Sequence, residues 1–283
     1  MPSMKRIAAL IAAPLIAVSS LFSCSSKEPP LNAKELRVDF LDVGKADAIV
    51  LQSETGTVVI DCGEKGDGKK ITKLLEENGR TTIDYLIITH FDKDHVGGAT
   101  KILKSCEVKN VLTPDYASTI EEYDKFITML DELKLERTSI TKDTTFTLDD
   151  VNFKVYPPKK SYYGEDDEND FSLMTKVTHH NNTLLFTGDA MEQRLEEEMD
   201  IGKCTLLKVP YHGRKLDNLK DFLKATEPQC AVVCTAANEF SSKTLKALQD
   251  LKIPTYATCF NGNITALSNG KTIEFTIEKG DVW

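Results

Sequence analysis

The chain has 283 residues, of which 41% are hydrophobic and 28% are charged, a composition typical of a soluble globular protein. Its formal net charge of −9 argues against a general binder of the nucleic-acid backbone, because such proteins carry a basic stripe. The net charge does not exclude a metal-dependent nuclease, since a bound divalent ion supplies positive charge that a residue count omits.

The first residues have the pattern of an export signal. Lys5 and Arg6 precede an apolar run, residues 7–17, that is too short for a typical transmembrane helix. Cys24 follows, and then a polar stretch that contains proline. This arrangement resembles a bacterial lipoprotein signal, in which the chain is cleaved before the cysteine and its thiol is acylated. Ordinary secretion with a free thiol, or an uncleaved signal anchor, are the alternatives.

The predicted organisation follows from this signal. We expect a signal peptide of the lipoprotein type over residues 1–23, a tether over 24–34 that is lipid-anchored at Cys24, and one folded domain over 35–283. The protein would then be exported and held in the cell envelope by its lipid. We predict no protein partner.

Apolar periodicity predicts a succession of strands and helices after the tether. In chain order the predicted strands are residues 36–41, 48–51, 57–60, 84–88, 108–112, the region around 146, 151–156, 171–177, 183–187, 206–210, 230–234, 255–256, 264–267 and 272–275. The predicted helices are residues 70–77, 119–133, a Glu-rich segment after 189, 218–225 and 241–251. A capping box, Ser118 to Glu121, marks the start of the second helix.

This order predicts an α/β fold, a four-layer αββα sandwich in which helices flank two mixed β-sheets. The predicted domain begins with a β-meander followed by helices, and strands with covering helices occur again in its second half. His179 and His180 lie in a predicted hairpin before Asn181-Asn182. Adjacent strand residues point to opposite faces and the asparagines favour a turn, so we predict that both histidines are exposed.

The stretch from Thr89 to Gly98 carries the strongest chemical signal. It contains His90, Asp92, Asp94 and His95, and it follows the apolar run at 84–88. Two imidazoles and two carboxylates therefore lie within six residues at the carboxyl end of a predicted strand. Ligands cluster at such strand ends in α/β proteins.

Three further polar loops follow apolar strands, and they contain Asp61, Asp189 and His212. If these strand ends converge, three histidines meet several aspartates, a donor set that suits zinc or manganese. Asp189 follows a glycine, so it can cap a helix, and its carboxylate can also bridge two ions. Asp61 is expected to orient a ligand histidine rather than to bind metal itself.

The motifs together resemble the metallo-β-lactamase superfamily, and within it the hydrolase domain of the competence protein ComEC. The resemblance is carried by the motif from His90 to His95, by Asp42-Val43-Gly44, and by the stretches 184–189 and 207–213. It spans nearly the whole predicted domain. Asp42 is interpreted either as a carboxylate behind the ligands or as a plain turn residue.

The resemblance implies two metal sites that share Asp189. One would contain His90, Asp92 and Asp189, and the other Asp94, His95, Asp189 and His212. Asp94 would also be catalytic, because it would position the attacking water. Two divalent ions, zinc or manganese, are thus the expected cofactors.

The sequence departs from the superfamily pattern at several positions. Asp92 replaces a histidine, and Asn169 and Ser172 lie where another metal-binding histidine is common. More carboxylate would shift the metal preference towards manganese. Tyr211 and Arg214 depart from the ComEC-like pattern, and Arg214 either contacts a substrate phosphate or is a surface arginine.

We therefore predict an exported metal-dependent hydrolase, a phosphodiesterase or nuclease that uses metal-activated water. Its substrate would be a phosphodiester or nucleic acid. One alternative is hydrolysis of a lactone, a β-lactam or a small phosphate ester at the same site. Another is a surface lipoprotein that binds a ligand without catalysis.

Overall fold

The computed structural model describes residues 35–164, 168–280 and 282. The predicted signal peptide and tether, with Cys24, lie outside the described residues. Among the helices that the structure describes, none is both long enough and apolar enough to cross a bilayer.

The strands, numbered along the chain, are β1 Leu36–Phe40, β2 Ala48–Gln52, β3 Thr57–Cys62, β4 Thr82–Ile87, β5 Glu107–Pro114, β6 Arg137–Ile140, β7 Thr144–Leu148, β8 Val151–Tyr156, β9 Met174–His179, β10 Asn182–Phe186, β11 Leu206–Lys208, β12 Cys230–Val233, β13 Thr255–Ala257, β14 Ile264–Ser268 and β15 Ile273–Ile277. The helices are α1 Gly68–Glu77, α2 Lys93–Val96, α3 Ala99–Ser105, α4 Glu121–Leu133, α5 Glu192–Glu197, α6 Leu219–Thr226, α7 Ser242–Asp250 and α8 Thr258–Asn261. Short 3₁₀ turns lie at Glu168–Phe171 and Tyr211–Gly213.

In the described part of the chain these strands form two sheets. The first has eight strands in the order β15-β14-β1-β2-β3-β4-β5-β6, and the second has seven in the order β13-β12-β11-β10-β9-β8-β7. Each sheet combines antiparallel and parallel pairs, so the prediction of two mixed sheets is confirmed.

Three apolar clusters show the four layers. Alternate residues of both sheets, such as Phe40 and Phe186, face each other in the core between the sheets. A second cluster packs α1, α3 and α4 on the first sheet, and a third packs α5, α6 and α7 on the second. The αββα sandwich predicted from the element order is confirmed.

Some elements differ from the predictions. β14 and β15 return to the first sheet, where β14 pairs with β1, so the two sheets are not consecutive halves of the chain. Helix α4 begins at Glu121 with Ile120 as its N-cap residue, and the Ser118 hydroxyl donates to Glu168, so the predicted capping box is wrong. β6 is too polar on its exposed face to be recognised as a strand from its sequence.

The prediction that His179 and His180 are both exposed is wrong for His179. His179 is the last residue of β9 and is fully buried, whereas His180 is exposed in the turn. His179 has the same strand parity as Val177, so its side chain faces the core between the sheets.

The topology concentrates polar residues at one end of the sandwich. β3, β4, β5 and β6 run parallel, as do β10, β11, β12 and β13. Asp61, the stretch after β4, Asp189 and His212 all lie at or after the carboxyl ends of these strands. This is the end at which α/β folds place their ligands.

Candidate metal centre

The polar stretch after β4 is held by a close contact with β3. It forms the single turn of α2, and Gly98 follows it with its N–H donating to Gly63 O at 3.1 Å. A Cβ atom on Gly98 would lie 2.1 Å from Cys62 O, so only glycine fits there. This contact fixes Asp94 and His95, both of which are buried.

Five side chains meet at this end of the sandwich, and we call them the main cluster: His90, Asp94, His95, Asp189 and His212. His212 Nε2 lies 2.9 Å from Asp189 Oδ2, 3.4 Å from Asp94 Oδ2 and 3.3 Å from His95 Nε2. His95 Nε2 lies 3.5 Å from Asp189 Oδ2. All five residues are buried, at 4% exposure or less. The convergence that the sequence suggested is therefore present.

The donor atoms fall into two overlapping groups whose members lie within 4.8 Å of one another. One is His90, His95 and Asp189, and the other is Asp94, His95 and His212. Asp92 belongs to neither group; its Oδ2 lies 3.6 Å from His90 Nε2, and its side chain is 37% exposed. Its role as a ligand stays a prediction, like the ligand roles of the other residues.

Each imidazole of the main cluster has its Nδ1 held and its Nε2 directed inward. His212 Nδ1 donates to Cys234 O at 3.0 Å, and His95 Nδ1 donates to Asp61 Oδ2 at 2.7 Å. His90 Nδ1 lies 3.1 Å from the Thr89 hydroxyl, which donates its own proton to Asp61 at 2.6 Å. Partners of this kind orient metal-binding histidines. Asp61 thus contacts His95 directly and His90 through the Thr89 hydroxyl, and its role in orienting a ligand histidine stays a prediction.

Ser172 contacts both His90 and Asp189, and Asn169 contacts Ser172. The Ser172 hydroxyl accepts from Asp189 N at 3.0 Å and lies 3.4 Å from His90 Nδ1, so it links these two members of the cluster. Asn169 O accepts from Ser172 N at 3.0 Å and thereby closes the 3₁₀ turn. Asp42 lies elsewhere, because its carboxylate faces Gly44 N and Lys279. The structure thus places Asp42 in a turn, away from the main cluster.

Lys208 is a fully buried cation behind the main cluster, and its sequence position did not single it out. Its ammonium contacts Asp47 Oδ2, donates to Gly188 O at 2.9 Å, and lies 3.5 Å from Asp189 Oδ1. Burial lowers the pKa of Lys208, but Asp47 and Asp189 more than offset this, so the pKa stands above its ordinary value. A lysine inside an apolar strand is the signal that could have identified it.

Lys45 lies on the solvent side of the main cluster, and the sequence did not single it out either. Its Nζ is 3.0 Å from Asp94 Oδ2, and its side chain is 29% exposed. Burial lowers the pKa of Lys45, but the Asp94 carboxylate outweighs that effect and raises the pKa overall. Arg214 is near enough to oppose this rise. Arg214 itself is paired with Glu239 and lies over the Tyr211 ring at 5.1 Å.

The charges of the main cluster stabilise one another strongly. Burial alone would raise the pKa of Asp189, but His212 and His95 hold it well below its usual range. Burial would lower the pKa of His212, whereas Asp189 and Asp94 raise it to about 9. Protons and divalent cations would compete for the same Nε2 atoms, so metal binding here would release protons.

The Metallo-beta-lactamase superfamily description matches residues 41–237. The chain belongs to this superfamily. ComE operon protein 3 of Bacillus subtilis is 26% identical over 260 residues, covering 83% of this chain and 33% of that protein. Recombination protein 2 of Haemophilus influenzae is 28% identical over 204 residues, covering 70% of this chain and 24% of that protein. The predicted resemblance to the superfamily and its ComEC-like members is confirmed, although this chain spans only a third or less of each relative.

Solved structures share the fold. The metallo-β-lactamase fold protein YhfI from Bacillus subtilis superposes with a TM-score of 0.58 at 11% identity, covering 83% of this chain and 100% of that one. A mutant of the β-hydroxylase CmlA gives a TM-score of 0.53 at 14% identity, covering 84% of this chain and 54% of that one. Because a hydroxylase has the same fold, the fold alone does not determine the reaction.

The residues present fit the divalent metal binding that the superfamily implies. His90 Nε2 is buried without a hydrogen-bond partner among the described residues, whereas Asp189 Oδ1 faces the Lys208 ammonium at 3.5 Å. Buried polar atoms normally have hydrogen-bond partners, so His90 Nε2 in particular is suited to bind an ion. Three imidazoles with carboxylates form a donor set that favours ions such as zinc or manganese.

Proposed function

We propose that this protein is a metal-dependent phosphodiesterase whose substrate class is nucleic acid. The observation that carries the proposal is the main cluster itself, in which three imidazoles direct Nε2 atoms towards shared carboxylates. His90 and Asp189, with Asp92 at the rim, would hold one ion. Asp94, His95, Asp189 and His212 would hold the other.

Bound divalent ions would supply a nucleophile at neutral pH by lowering the pKa of water, and they would polarise the phosphoryl oxygens. The protein's own groups would position the reactants. Asp94 is fixed by its contacts with His212 and Lys45, so it can accept a hydrogen bond from the attacking water and orient it.

The positive charges of Lys45 and Arg214 favour the binding of an anionic substrate. Both are partly exposed, and Lys45 lies directly beside Asp94. An ammonium and a guanidinium at the rim of an acidic, metal-loaded site would bind the non-bridging oxygens of a phosphodiester. Arg214 would have to share its guanidinium with Glu239, so we assign the larger contribution to Lys45.

The relatives favour nucleic acid over other phosphodiesters. One is named a recombination protein and the other a product of the ComE operon, and both match this chain across most of its length. The matched region covers 33% and 24% of these relatives, so the proposal concerns the matched region alone. We further propose that the protein is exported and anchored in the cell envelope through a lipid on Cys24.

An assay of the 283-residue protein tests this function. The protein would be stripped of metal, refilled with manganese or zinc, and given single-stranded DNA, bis-p-nitrophenyl phosphate and a chromogenic β-lactam. We expect cleavage of both phosphodiesters, abolished by His212→Asn and unchanged in Asp221→Asn, an exposed carboxylate on α6. Cleavage of the β-lactam alone, or of no substrate with either metal, would contradict the proposal.

The anchor is tested separately, in cells fed with labelled palmitate. The wild-type protein should become labelled and Cys24→Ala should not. Label retained by the variant would refute acylation at Cys24 without bearing on the catalytic proposal.

A further inference from the structure

A second group of histidines and a carboxylate lies at the other end of the sandwich, and we call it the hairpin cluster: Asp150, His179 and His180. One donor atom from each residue lies within 4.8 Å of the others. Asp150 Oδ2 is 2.7 Å from His180 Nε2, and Asp150 Oδ1 is 3.9 Å from His179 Nε2. The cluster lies where β8 begins and β9 ends, whereas the main cluster lies at the carboxyl ends of the parallel strands.

The backbone brings these three side chains to one side. Val151 is opposite His179 in the antiparallel register, which places Asp150 beside His180. His180 has a φ of 53°, in the left-handed region that few residues other than glycine adopt. This conformation turns its ring back towards Asp150, although adjacent residues of a regular strand would point apart.

A third chain segment holds the turn in place. Asn181 N donates to Gly270 O at 2.9 Å, in the loop between β14 and β15. A Cβ atom on Gly270 would lie 2.6 Å from His180 Cδ2, so the imidazole packs directly on the glycine backbone. The position of His180 is therefore set by packing even though half of its side chain is exposed.

His179 provides the observation that points to a ligand. Its side chain is fully buried, and its Nε2 has no hydrogen-bond partner among the described residues. Its Nδ1 lies 2.9 Å from the Ser268 hydroxyl, and this contact directs Nε2 towards Asp150. A buried polar atom without a hydrogen-bond partner is destabilising, so such atoms are rare without a reason.

We propose that Asp150, His179 and His180 form a binding site for a divalent transition-metal ion, separate from the main cluster. Donors around a tetrahedral zinc ion with bonds of 2.0–2.2 Å lie about 3.3–3.6 Å apart. In the hairpin cluster one donor atom from each residue lies within 4.8 Å of the other two, so the donors would have to move closer together to bind one ion. The two carboxylate oxygens of Asp150 already lie 2.7 Å from His180 Nε2 and 3.9 Å from His179 Nε2. Water would complete the coordination on the exposed side.

The chemistry of the site selects the ion and suggests a structural role. Two imidazoles and one carboxylate favour zinc, nickel or copper over magnesium or calcium, which prefer all-oxygen sites. The ion would join the β7–β8 turn to the β9–β10 hairpin. With only three protein ligands, two of them exposed, it should bind reversibly.

The test is a footprint of His180 by diethylpyrocarbonate, read by mass spectrometry on the 283-residue protein with and without zinc. We expect zinc to slow modification of His180, because the ion would occupy Nε2. Protection should require zinc concentrations at least roughly tenfold higher in Asp150→Asn, since even loss of an outer partner of a ligand weakens metal binding by that factor. Asp143→Asn is the matched control, an exposed carboxylate on the loop before β7 that pairs with Lys154.

Loss of the main cluster provides the second control. In His212→Asn the zinc protection of His180 should remain, which separates this proposal from the fate of the phosphodiesterase proposal. Asp150 is exposed, so its replacement should leave the far-ultraviolet circular dichroism unchanged. Equal modification of His180 with and without zinc, or equal protection in Asp150→Asn, would overturn the proposal.

Discussion

The main cluster and the hairpin cluster contain the same types of donor side chain, imidazole and carboxylate. They differ in how many of these side chains are buried and held in place. In the main cluster every imidazole is buried and has its Nδ1 held, and three separate loops contribute. In the hairpin cluster only His179 is buried and held at Nδ1, while His180 and Asp150 face solvent. The two clusters thus differ in how many donor atoms the fold holds in place, and the proposed catalytic centre has more of them than the proposed structural site.

The charges around the two clusters differ as well. The main cluster has Lys208 behind it and Lys45 in front, so its buried carboxylates have cationic partners. Asp150 in the hairpin cluster is accessible to water, which screens its charge. The deeply buried carboxylates of the main cluster therefore need a buried lysine as a partner. The exposed carboxylate of the hairpin cluster does not.

Replacing Asp189 should produce the largest difference between the clusters. Asp189→Asn removes the carboxylate shared by both proposed ions, so we expect metal binding at the main cluster and phosphodiesterase activity to fall by at least roughly 100-fold. Bound metal would be measured by dialysis and mass spectrometry, and activity with bis-p-nitrophenyl phosphate. Zinc protection of His180 should persist. Full activity in this variant would show that Asp189 does not bind the catalytic metal.

Replacing Lys208 should destabilise the protein, because it leaves buried carboxylates beside the main cluster without a cation. Lys208→Met leaves Asp47 and Asp189 buried without their cation, which should lower the free energy of unfolding by about 3–5 kcal/mol. Urea unfolding in the presence of a chelator would measure the loss. Manganese or zinc should restore part of it, because a divalent ion near Asp189 replaces the missing charge. An unchanged unfolding midpoint would contradict the role assigned to Lys208, and Lys203→Met on the surface is the control.

The partners of Nδ1 allow a matched test of the two clusters. Asp61→Asn should weaken metal binding at the main cluster by roughly 10–100-fold, because His95 loses its charged acceptor. Ser268→Ala removes the corresponding partner of His179 and should weaken zinc protection of His180 by a smaller factor, since a hydroxyl is a weaker partner than a carboxylate. Metal titration would measure the first effect and the His180 footprint the second. An effect of Asp61→Asn on the hairpin cluster would contradict their independence.

Replacing Lys45 should have the smallest effect. Lys45→Gln removes a rim cation, so KM for a phosphodiester should rise about tenfold, while kcat changes less because the proposed metal ligands remain. Steady-state kinetics with bis-p-nitrophenyl phosphate would measure both constants, with Lys203→Gln as the control. A fall in kcat at constant KM would place the role of Lys45 in orienting Asp94 rather than in binding substrate.

Much of the fold and of the main cluster could be predicted from local sequence patterns. Apolar strands that end in His90, Asp94, His95, Asp189 and His212 mark both the elements and the site, because a strand end fixes the loop that follows it. Local patterns could not show that β14 pairs with β1, since pairing between distant strands leaves no local signature. Local patterns also led to the wrong prediction that His179 is exposed. Its strand parity points the side chain into the core, and the left-handed turn at His180 brings both histidines beside Asp150.

The sequence alone indicated which residues of the main cluster could bind a metal, because imidazole and carboxylate at strand ends are chemical properties of the chain. Only the tertiary structure decided how they are used. It brought Lys208 and Asp47 behind Asp189, set Lys45 beside Asp94, and placed Asp42 outside the cluster. It also buried His179 beside Asp150. These are long-range contacts, and their energies depend on burial and charge, which the packing of the two sheets creates.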